Sequence, residues 1–160
     1  MLFVTDGRSA TQRAAEAGIA NTVLIDLALD YAKATRVAMA PAGQCSESAF
    51  ASACAVLQAA GAQVSRLADV PGLAVMRSVA MLANEAADAV YQGVCTARAA
   101  DDAMRLGVNY PKGPLAWADQ VGLAAIQQVL THLNACYGED RYRISPLIQR
   151  QVYQGKNIHG

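Results

Sequence analysis

The sequence predicts an α+β fold in which a small α/β unit is followed by an all-helical domain. Up to residue 70, short runs rich in Val, Leu and Ile alternate with Ala-rich helical segments. After that point, long helical periodicity continues to the end of the chain. The change falls at Asp69-Val70-Pro71-Gly72, where Pro-Gly is a turn signal, so we predict domains at 1–70 and 71–160.

The first domain contains predicted strands at Leu2–Thr5, Thr22–Leu27, Arg36–Ala40 and Gln63–Leu67, and predicted helices at Ser9–Ala17 and Ser46–Ala60. Ser9 and Ser46 stand where helix N-caps are expected, and Gly18 and Gly61 stand where the helices should stop. Alternating strands and helices favour a mainly parallel sheet with right-handed crossovers. The domain is too short to be a full dinucleotide-binding domain.

The second domain is predicted to be a cluster of about five helical elements, whose short loops favour antiparallel neighbours. The elements are Leu73–Gln92, Ala97–Leu106 after a Thr96 cap, Leu115–Val121 after Pro114, a longer helix that follows the break at Gly122 and ends at Tyr137-Gly138, and Pro146–Tyr153. The first helix carries two adjacent apolar stripes and should be nearly all buried. Its narrow polar side includes Arg77, Asn84 and Asp88, for which internal hydrogen bonding is favoured over a ligand role.

Composition and charge exclude several classes of function. The 160 residues include 13 Lys+Arg and 13 Asp+Glu, so the formal net charge is zero and no basic run indicates nucleic acid or an acidic membrane as a partner. No segment offers the ~20 apolar residues that a membrane span requires. The N-terminus has no basic region followed by a long apolar run, so we expect no secretory signal and a cytoplasmic location.

Sequence motifs for cofactor, metal and nucleophilic chemistry are missing. The chain contains no GxGxxG after a strand, no GxxxxGK[ST], no HExxH and no GxSxG. The four cysteines, Cys45, Cys54, Cys95 and Cys136, are far apart and are interpreted as buried thiols. We therefore predict no metal site.

The histidines and the acidic pair are also interpreted as structural. His132 lies in an apolar helical pattern with no acidic residue within one turn to orient it. His159 lies next to the last residue and is expected to fray. Asp101 and Asp102 point about 100° apart on a helix and are expected to form a solvated face. No catalytic residue is predicted.

Three segments of the second half are similar to a known family. They read PGLAVMRSVAMLANEAADAVYQGV, DDAMRLGVNYPKGPLAWADQVGL and YGEDRYRISPLIQRQV. Together they resemble the helical C-terminal domain of the 3-hydroxyacyl-CoA dehydrogenases over residues 69–152, roughly half of the chain. The match is specific because of the joint spacing of Asn84-Glu85-Ala86, Asn109, Pro111, Gly113-Pro114 and Asp119-Gln120-Val121-Gly122. The preceding LFVTDGRSATQ and VLIDLALDYAKATRVAMAP resemble the segment before the second copy of that domain in a long form of the enzyme, found in phenylacetate catabolism.

The resemblance implies an NAD-dependent parent enzyme that oxidises a 3-hydroxyacyl-CoA, of the 3-hydroxyadipyl-CoA type, to the 3-oxoacyl-CoA. In that family an N-terminal Rossmann domain binds NAD and carries a catalytic His–Glu pair, while the helical domain closes the acyl-CoA cleft and forms the dimer interface. This chain has no Rossmann fingerprint, Met76 replaces the Asn of the family's PGFxxNR motif, and the GxKxGxGFY ending is absent. The resemblance therefore makes residues 1–70 a Rossmann-remnant-like unit, with no NAD site in this chain.

Three functional hypotheses follow. In the first, the chain is a noncatalytic packing and dimerisation module that works with the parent's N-terminal Rossmann domain, and Asn84 and Glu85 tie down the loop at Gly113-Pro114. In the second, the chain contacts an acyl-CoA through that loop. In the third, it is a stand-alone noncatalytic adaptor without enzymatic ancestry. The candidate substrate or motif residues are Asn84, Glu85, Asn109, Tyr110, Pro111, Lys112, Gly113 and Pro114.

Overall fold

A computed structural model describes all 160 residues and divides the chain into two units, Met1–Arg77 and Ser78–Gly160. The first unit contains β1 (Leu2–Val4), α1 (Ala10–Ala17), β2 (Val23–Ile25), β3 (Arg36–Pro41), α2 (Glu47–Ala59) and β4 (Gln63–Arg66). Helix α3 (Val75–Tyr91) begins in the first unit and ends in the second, where α4 (Ala97–Gly107), α5 (Pro114–Val121), α6 (Leu123–Tyr137), a 3₁₀ turn (Asp140–Tyr142) and α7 (Pro146–Gln154) follow. The predicted α+β fold is confirmed.

The sheet of the first unit has the strand order β1-β2-β3-β4. β1 pairs with β2 and β3 pairs with β4 in parallel, with α1 and α2 as the respective connections. The central pair is antiparallel, with Val23 opposite Pro41 and Ile25 opposite Met39. The sheet is mainly parallel, as predicted, with one antiparallel pair at its centre. Residues 26–35 between the two strands contain turns but no helix, and an antiparallel return needs no crossover helix.

Both faces of this sheet are covered by the unit's own residues. On one face Leu24 and Ala40 pack with Ala14 of α1. On the other face Met39 packs with Phe50 of α2. Because successive strand residues point to opposite faces, strands buried on both faces need apolar residues at every position. This explains why β2 and the part of β3 after Arg36 appear in the sequence as continuous apolar runs rather than alternating ones.

The second unit is held together by contacts between consecutive helices, since α4 packs on α5, α5 on α6 and α6 on α7. Its completely buried side chains are Ala80, Ala83, Ala87, Leu115, Ala118, Ile126, Leu130, Leu133, Tyr142 and Ile148. Gly122 has a φ of 98° between α5 and α6, a conformation that favours glycine and separates the two helices. No helix in either unit combines the length and the hydropathy needed to cross a bilayer.

Helix α3 is less buried than its sequence predicts. The stripe that contains Ala80 and Ala83 is fully buried. On the neighbouring stripe, Leu82, Ala86 and Val90 are each partly exposed. The expectation of nearly complete burial is wrong for these positions, because a second apolar stripe needs a second packing surface and this chain alone does not cover it.

The cysteines are also more exposed than expected. Cys45, Cys54 and Cys95 are half-buried and Cys136 is exposed, and all four are free thiols. The interpretation as buried thiols is therefore wrong. Cys136 lies in the last turn of α6 on its exposed side, and single small apolar residues are common on protein surfaces.

Candidate functional site

The start of α5 is held by an aspartate from α4. The backbone N–H groups of Leu115 and Ala116 donate to the two carboxylate oxygens of Asp101 at 2.8 and 3.0 Å. The first N–H groups of a helix have no partner within the helix, and a negative charge is favourable at that end. Asp101 is 6% exposed, so these bonds are shielded from water. They fix the position of the loop that precedes α5.

Gly113 lies directly against this carboxylate. A Cβ on Gly113 would lie 2.1 Å from Cγ of Asp101, far inside the contact distance of two carbon atoms. Gly113 is also the N-cap residue of α5 and has no side chain to cap it, so Asp101 supplies the cap. Pro114 follows at the start of the helix, where its missing N–H costs nothing. Residue 113 is thus a glycine because a side chain would collide with Asp101, and residue 114 is a proline because it begins a helix.

The C-terminal segment is anchored on the same two helices. Nε2 of His159 lies 2.9 Å from Oδ2 of Asp101. The backbone N–H groups of Ile158 and His159 donate to the carboxylate of Asp119 on α5 at 2.8 and 3.1 Å. The expectation that His159 frays is wrong, because three hydrogen bonds hold it and its neighbour.

Asp101 and Asp102 were expected to form a solvated helix face. This expectation is wrong for Asp101, which is buried, and holds only for Asp102. The Asp102 side chain is 42% exposed and pairs with Arg105 at 3.2 Å. The Asp101–His159 contact joins residues 58 positions apart, so no local sequence pattern could have indicated it.

A cleft of about 480 Å³ opens beside His159 and the loop before α5. It is lined by Arg98, Asp101, Asp102, Arg105, Pro111, Lys112, Gly113, Ala116 and His159. The side chain of Lys112 donates to the amide oxygen of Gln120. Three residues singled out in the sequence, Pro111, Lys112 and Gly113, therefore meet at one site with charged groups from α4.

The other candidates from the sequence lie outside the lining of this cleft. Asn109 is exposed and has a positive φ of 58°. The ring of Tyr110 packs on Trp117 with a centroid distance of 5.8 Å. Pro114 is buried at the start of α5, and Glu85 is exposed on α3.

Asn84 holds a different segment from the one predicted. Its side-chain amide donates to the carbonyl of Arg143, and its side-chain oxygen accepts from the N–H of Ser145, both at 2.8 Å. On the same helix Asp88 lies 3.4 Å from Arg143. Internal hydrogen bonding of the polar stripe is confirmed for these two residues. The predicted tie from Asn84 to the Gly113-Pro114 loop is wrong, because Asp101 holds that loop instead.

We expect Asn84→Ala to lower the free energy of unfolding by about 1–3 kcal/mol, because loss of the buried Asn84 side chain leaves two backbone groups without a partner. Urea unfolding measures the change. Glu85→Ala is the matched control, since Glu85 is the next residue and is exposed, and it should stay within about 0.5 kcal/mol of the parent chain. Equal stabilities of the two variants would contradict the role of Asn84.

In the first unit, the N-terminus of α1 is already occupied by a carboxylate. Ala10 and Thr11 donate their N–H groups to the two oxygens of Asp69 at 2.5 and 2.8 Å, and the Ser9 hydroxyl accepts from the N–H of Gln12. The turn between a first strand and a first helix is where a dinucleotide-binding domain presents glycines to a pyrophosphate. Here the donors at that position are taken by the chain itself.

Asp6, in the same turn, is enclosed by two arginines. Its carboxylate lies 2.5 Å from Nη2 of Arg8 and 3.1 Å from Nη1 of Arg13. Burial alone would raise the pKa of the Asp6 carboxyl, but the hydrogen bonds from Arg8 and the charge of Arg13 hold that pKa below its ordinary value. Arg13 also lies over the ring of Phe3, 4.1 Å from its centroid. Both cations near the turn are therefore neutralised by the protein.

Comparison with known protein families accounts for both units. Residues 72–158 match the model of the 3-hydroxyacyl-CoA dehydrogenase C-terminal domain. The chain belongs to the 3-hydroxyacyl-CoA dehydrogenase family. Residues 2–71 match the reduced Rossmann-fold domain of 3-hydroxybutyryl-CoA dehydrogenase, so the resemblance seen in the sequence is confirmed for both halves. This family membership contradicts the hypothesis of an adaptor without enzymatic ancestry.

Individual dehydrogenases of this family match at substantial identity. The 3-hydroxyadipyl-CoA dehydrogenase of Escherichia coli K12 is 40% identical over 152 residues, which cover 95% of this chain and 31% of that protein. A probable 3-hydroxybutyryl-CoA dehydrogenase of Bacillus subtilis is 39% identical over 87 residues, 54% of this chain and 30% of that protein. The crystal structure of an E. coli K12 3-hydroxybutyryl-CoA dehydrogenase matches with a TM-score of 0.89 and 39% identity over 96% of this chain and 31% of that one. The chain thus spans about a third of the length of these relatives.

Proposed function

We propose that this chain is the noncatalytic C-terminal part of a longer NAD-dependent 3-hydroxyacyl-CoA dehydrogenase, in which it serves packing and dimerisation. In the longer protein, the N-terminal Rossmann domain binds NAD and carries the catalytic residues. The substrate is a 3-hydroxyacyl-CoA of the 3-hydroxyadipyl-CoA type, used in phenylacetate catabolism in the cytoplasm. The 40% identity to the E. coli 3-hydroxyadipyl-CoA dehydrogenase across 95% of this chain supports this choice of substrate.

The occupied N-terminus of α1 is the observation that carries the noncatalytic role. A pyrophosphate needs the free N–H groups and the favourable dipole at such a position. In this chain Asp69 accepts from those groups, and its carboxylate would repel a second anion placed beside it. The residues of the first unit therefore do not fit NAD at the usual place.

Titration of the chain with NADH, followed by the fluorescence of the nicotinamide, tests this misfit. We expect no saturable change at concentrations that saturate a full-length dehydrogenase measured in parallel. Saturable binding with comparable affinity would show a dinucleotide site in this chain and would contradict the proposal.

The partly exposed stripe of α3 supports the dimerisation role. Leu82, Ala86 and Val90 are apolar and incompletely covered, and apolar residues grouped on an exposed face are typical of protein–protein contacts. Light scattering of the chain at micromolar concentration should give twice the monomer mass of 16.8 kDa. Leu82→Glu should give the monomer mass with an unchanged helical circular dichroism spectrum. A monomer mass for the unsubstituted 160-residue chain would contradict the dimerisation role.

A second candidate function is direct contact with an acyl-CoA, and the position of Lys112 in the cleft supports it. Lysine is a common ligand of phosphate groups, and loops between helices often carry ligand contacts. Under this function Lys112→Ala weakens the binding of a CoA ester. Under the packing role alone, the same substitution leaves the binding of a CoA ester unchanged.

A further inference from the structure

We infer that a small pocket in the first unit, between β3 and the start of α3, binds a short organic acid whose carboxylate pairs with Arg36. We call it the Arg36 pocket. Its volume is about 210 Å³, and five of its eight lining residues are apolar: Leu27, Ala28, Val37, Ala38 and Val75. An apolar cavity of about 150 Å³ can hold benzene, so the Arg36 pocket suits an acid of roughly four to six carbon atoms. The inference concerns only residues of the first unit and does not depend on the proposed dehydrogenase function.

The Arg36 pocket lies on a face of the sheet that α1 covers at its other end. Arg36, Ala38 and Ala40 alternate onto one face of β3, because successive strand residues point to opposite sides. At the Ala40 end, Ala14 of α1 packs on this face. At the Arg36 end, the lining comes instead from the connection after β2 and from the start of α3. The small side chains of Ala28 and Ala38 leave space there that no residue of the chain fills.

Arg36 brings an unbalanced positive charge to the pocket. Its Nη1 donates to Oγ of Ser65 at 2.9 Å and its Nη2 donates to the side-chain oxygen of Gln63, and both acceptors are neutral. Arg36 forms no ion pair, whereas Lys33, three residues earlier, pairs with Asp30 at 3.3 Å. A guanidinium has five N–H donors in a planar fork that matches a carboxylate, so three donors of Arg36 remain for a ligand. An organic anion would supply the missing counter-charge.

Asp26, the other charged residue of the lining, sets the orientation of the ligand. Its carboxylate already accepts from the N–H of Leu27 and from three N–H groups where α3 begins. The N–H of Asp26 donates to the carbonyl of Ala38 at 2.9 Å, which places Asp26 two residues, or about 7 Å along the strand, from Arg36. A ligand carboxylate is repelled at the Asp26 end and attracted at the Arg36 end. The charged group therefore lies at Arg36, which is exposed, and the apolar chain lies inside, against Val75.

An NMR titration of the ¹⁵N-labelled chain with pentanoate tests the inference. We expect saturable chemical-shift changes at amides of the lining, among them Ala28 and Ser65. Arg36→Gln should weaken pentanoate binding about tenfold, since it removes the charge-assisted hydrogen bonds to the carboxylate. Lys33→Gln is the matched control, because it removes the same charge three residues away and outside the lining, and it should bind pentanoate like the unsubstituted chain. Thermal melts of all variants establish that they are folded.

Further arms of the same titration separate the role of the charge from that of the apolar chain. Pentanamide has the chain without the charge and should bind roughly tenfold more weakly than pentanoate. Acetate has the charge without the chain and should also bind more weakly, because each buried methylene group adds to affinity. Ala28→Leu fills the pocket while Arg36 stays in place, and it should weaken pentanoate binding. Absence of saturable shifts at the lining, unchanged affinity in Arg36→Gln or Ala28→Leu, or binding of pentanamide or acetate as tight as that of pentanoate would overturn the inference.

Discussion

Asp26→Ala is expected to lower the free energy of unfolding by about 3–5 kcal/mol, because it removes the acceptor of three backbone N–H groups. Asp26 is 1% exposed and follows β2. Its carboxylate accepts from the N–H groups of Ala74, Val75 and Met76 at 3.0, 2.7 and 3.0 Å, where α3 begins. The substitution leaves these donors without a partner at a helix end, where a negative charge is also favourable.

Urea unfolding measures this loss, and Asp30→Ala is the matched control. Asp30 is four positions further along, and its ion pair is with Lys33 at 3.3 Å, with the Asp30 and Lys33 side chains 46% and 86% exposed. Exposed ion pairs contribute little to stability, so Asp30→Ala should unfold at nearly the same urea concentration as the unsubstituted chain. Asp26→Asn retains one acceptor oxygen and should fall between the two. A stability of Asp26→Ala equal to that of Asp30→Ala would show that the cap does not hold α3.

Gly113→Ala is expected to lower the free energy of unfolding by about 3 kcal/mol, because the added Cβ would lie only 2.1 Å from Cγ of Asp101. The carboxylate cannot move away without giving up its bonds to Leu115 and Ala116. The variant therefore loses either the hydrogen bonds that cap α5 or the close packing of residue 113 against Asp101. In a chain of this size such a loss lowers Tm by roughly 6–12 °C.

Gly107→Ala provides the comparison for this substitution. Gly107 is the last residue of α4 and does not have a positive φ, and no atom lies within 4 Å of the place that an added Cβ would take. Alanine is the better helix former, so the control should match or exceed the parent in Tm. Calorimetry that found the two variants equally stable would contradict the account of the Gly113-Pro114 motif.

Local capping signals were predictable from the sequence, whereas the distant ones were not. The Ser9, Ser46 and Thr96 hydroxyls accept from an N–H three residues further on, as the sequence predicted. Asp26 and Asp69 cap helices that lie 48 to 50 and 58 to 59 positions away. Hydrophobic periodicity and cap motifs report on neighbours along the chain, so they carry no information about such pairs.

In the candidate site, too, the sequence predicted the local features but not the contacts between distant residues. The loop with Lys112 and Gly113 could be found, because its prolines and glycine interrupt a helical pattern and match a family motif. The partners of that loop could not be found, because Asp101 looks like any surface aspartate in the sequence and His159 lies in a segment where fraying is the usual expectation. The antiparallel pairing of β2 with β3 was missed for a related reason. The connection between them carries no signal that distinguishes a turn from a short crossover.

An assay for NADH formation from NAD and a 3-hydroxyacyl-CoA ester tests whether this chain is noncatalytic. The full-length E. coli 3-hydroxyadipyl-CoA dehydrogenase, to which 95% of this chain aligns, serves as the positive control in the same assay. We expect no NADH above the buffer level from a chain whose circular dichroism and melting transition show that it is folded. Steady NADH formation that depends on both NAD and the ester would contradict the noncatalytic role, because the chain would then hold a cofactor site and catalytic residues of its own.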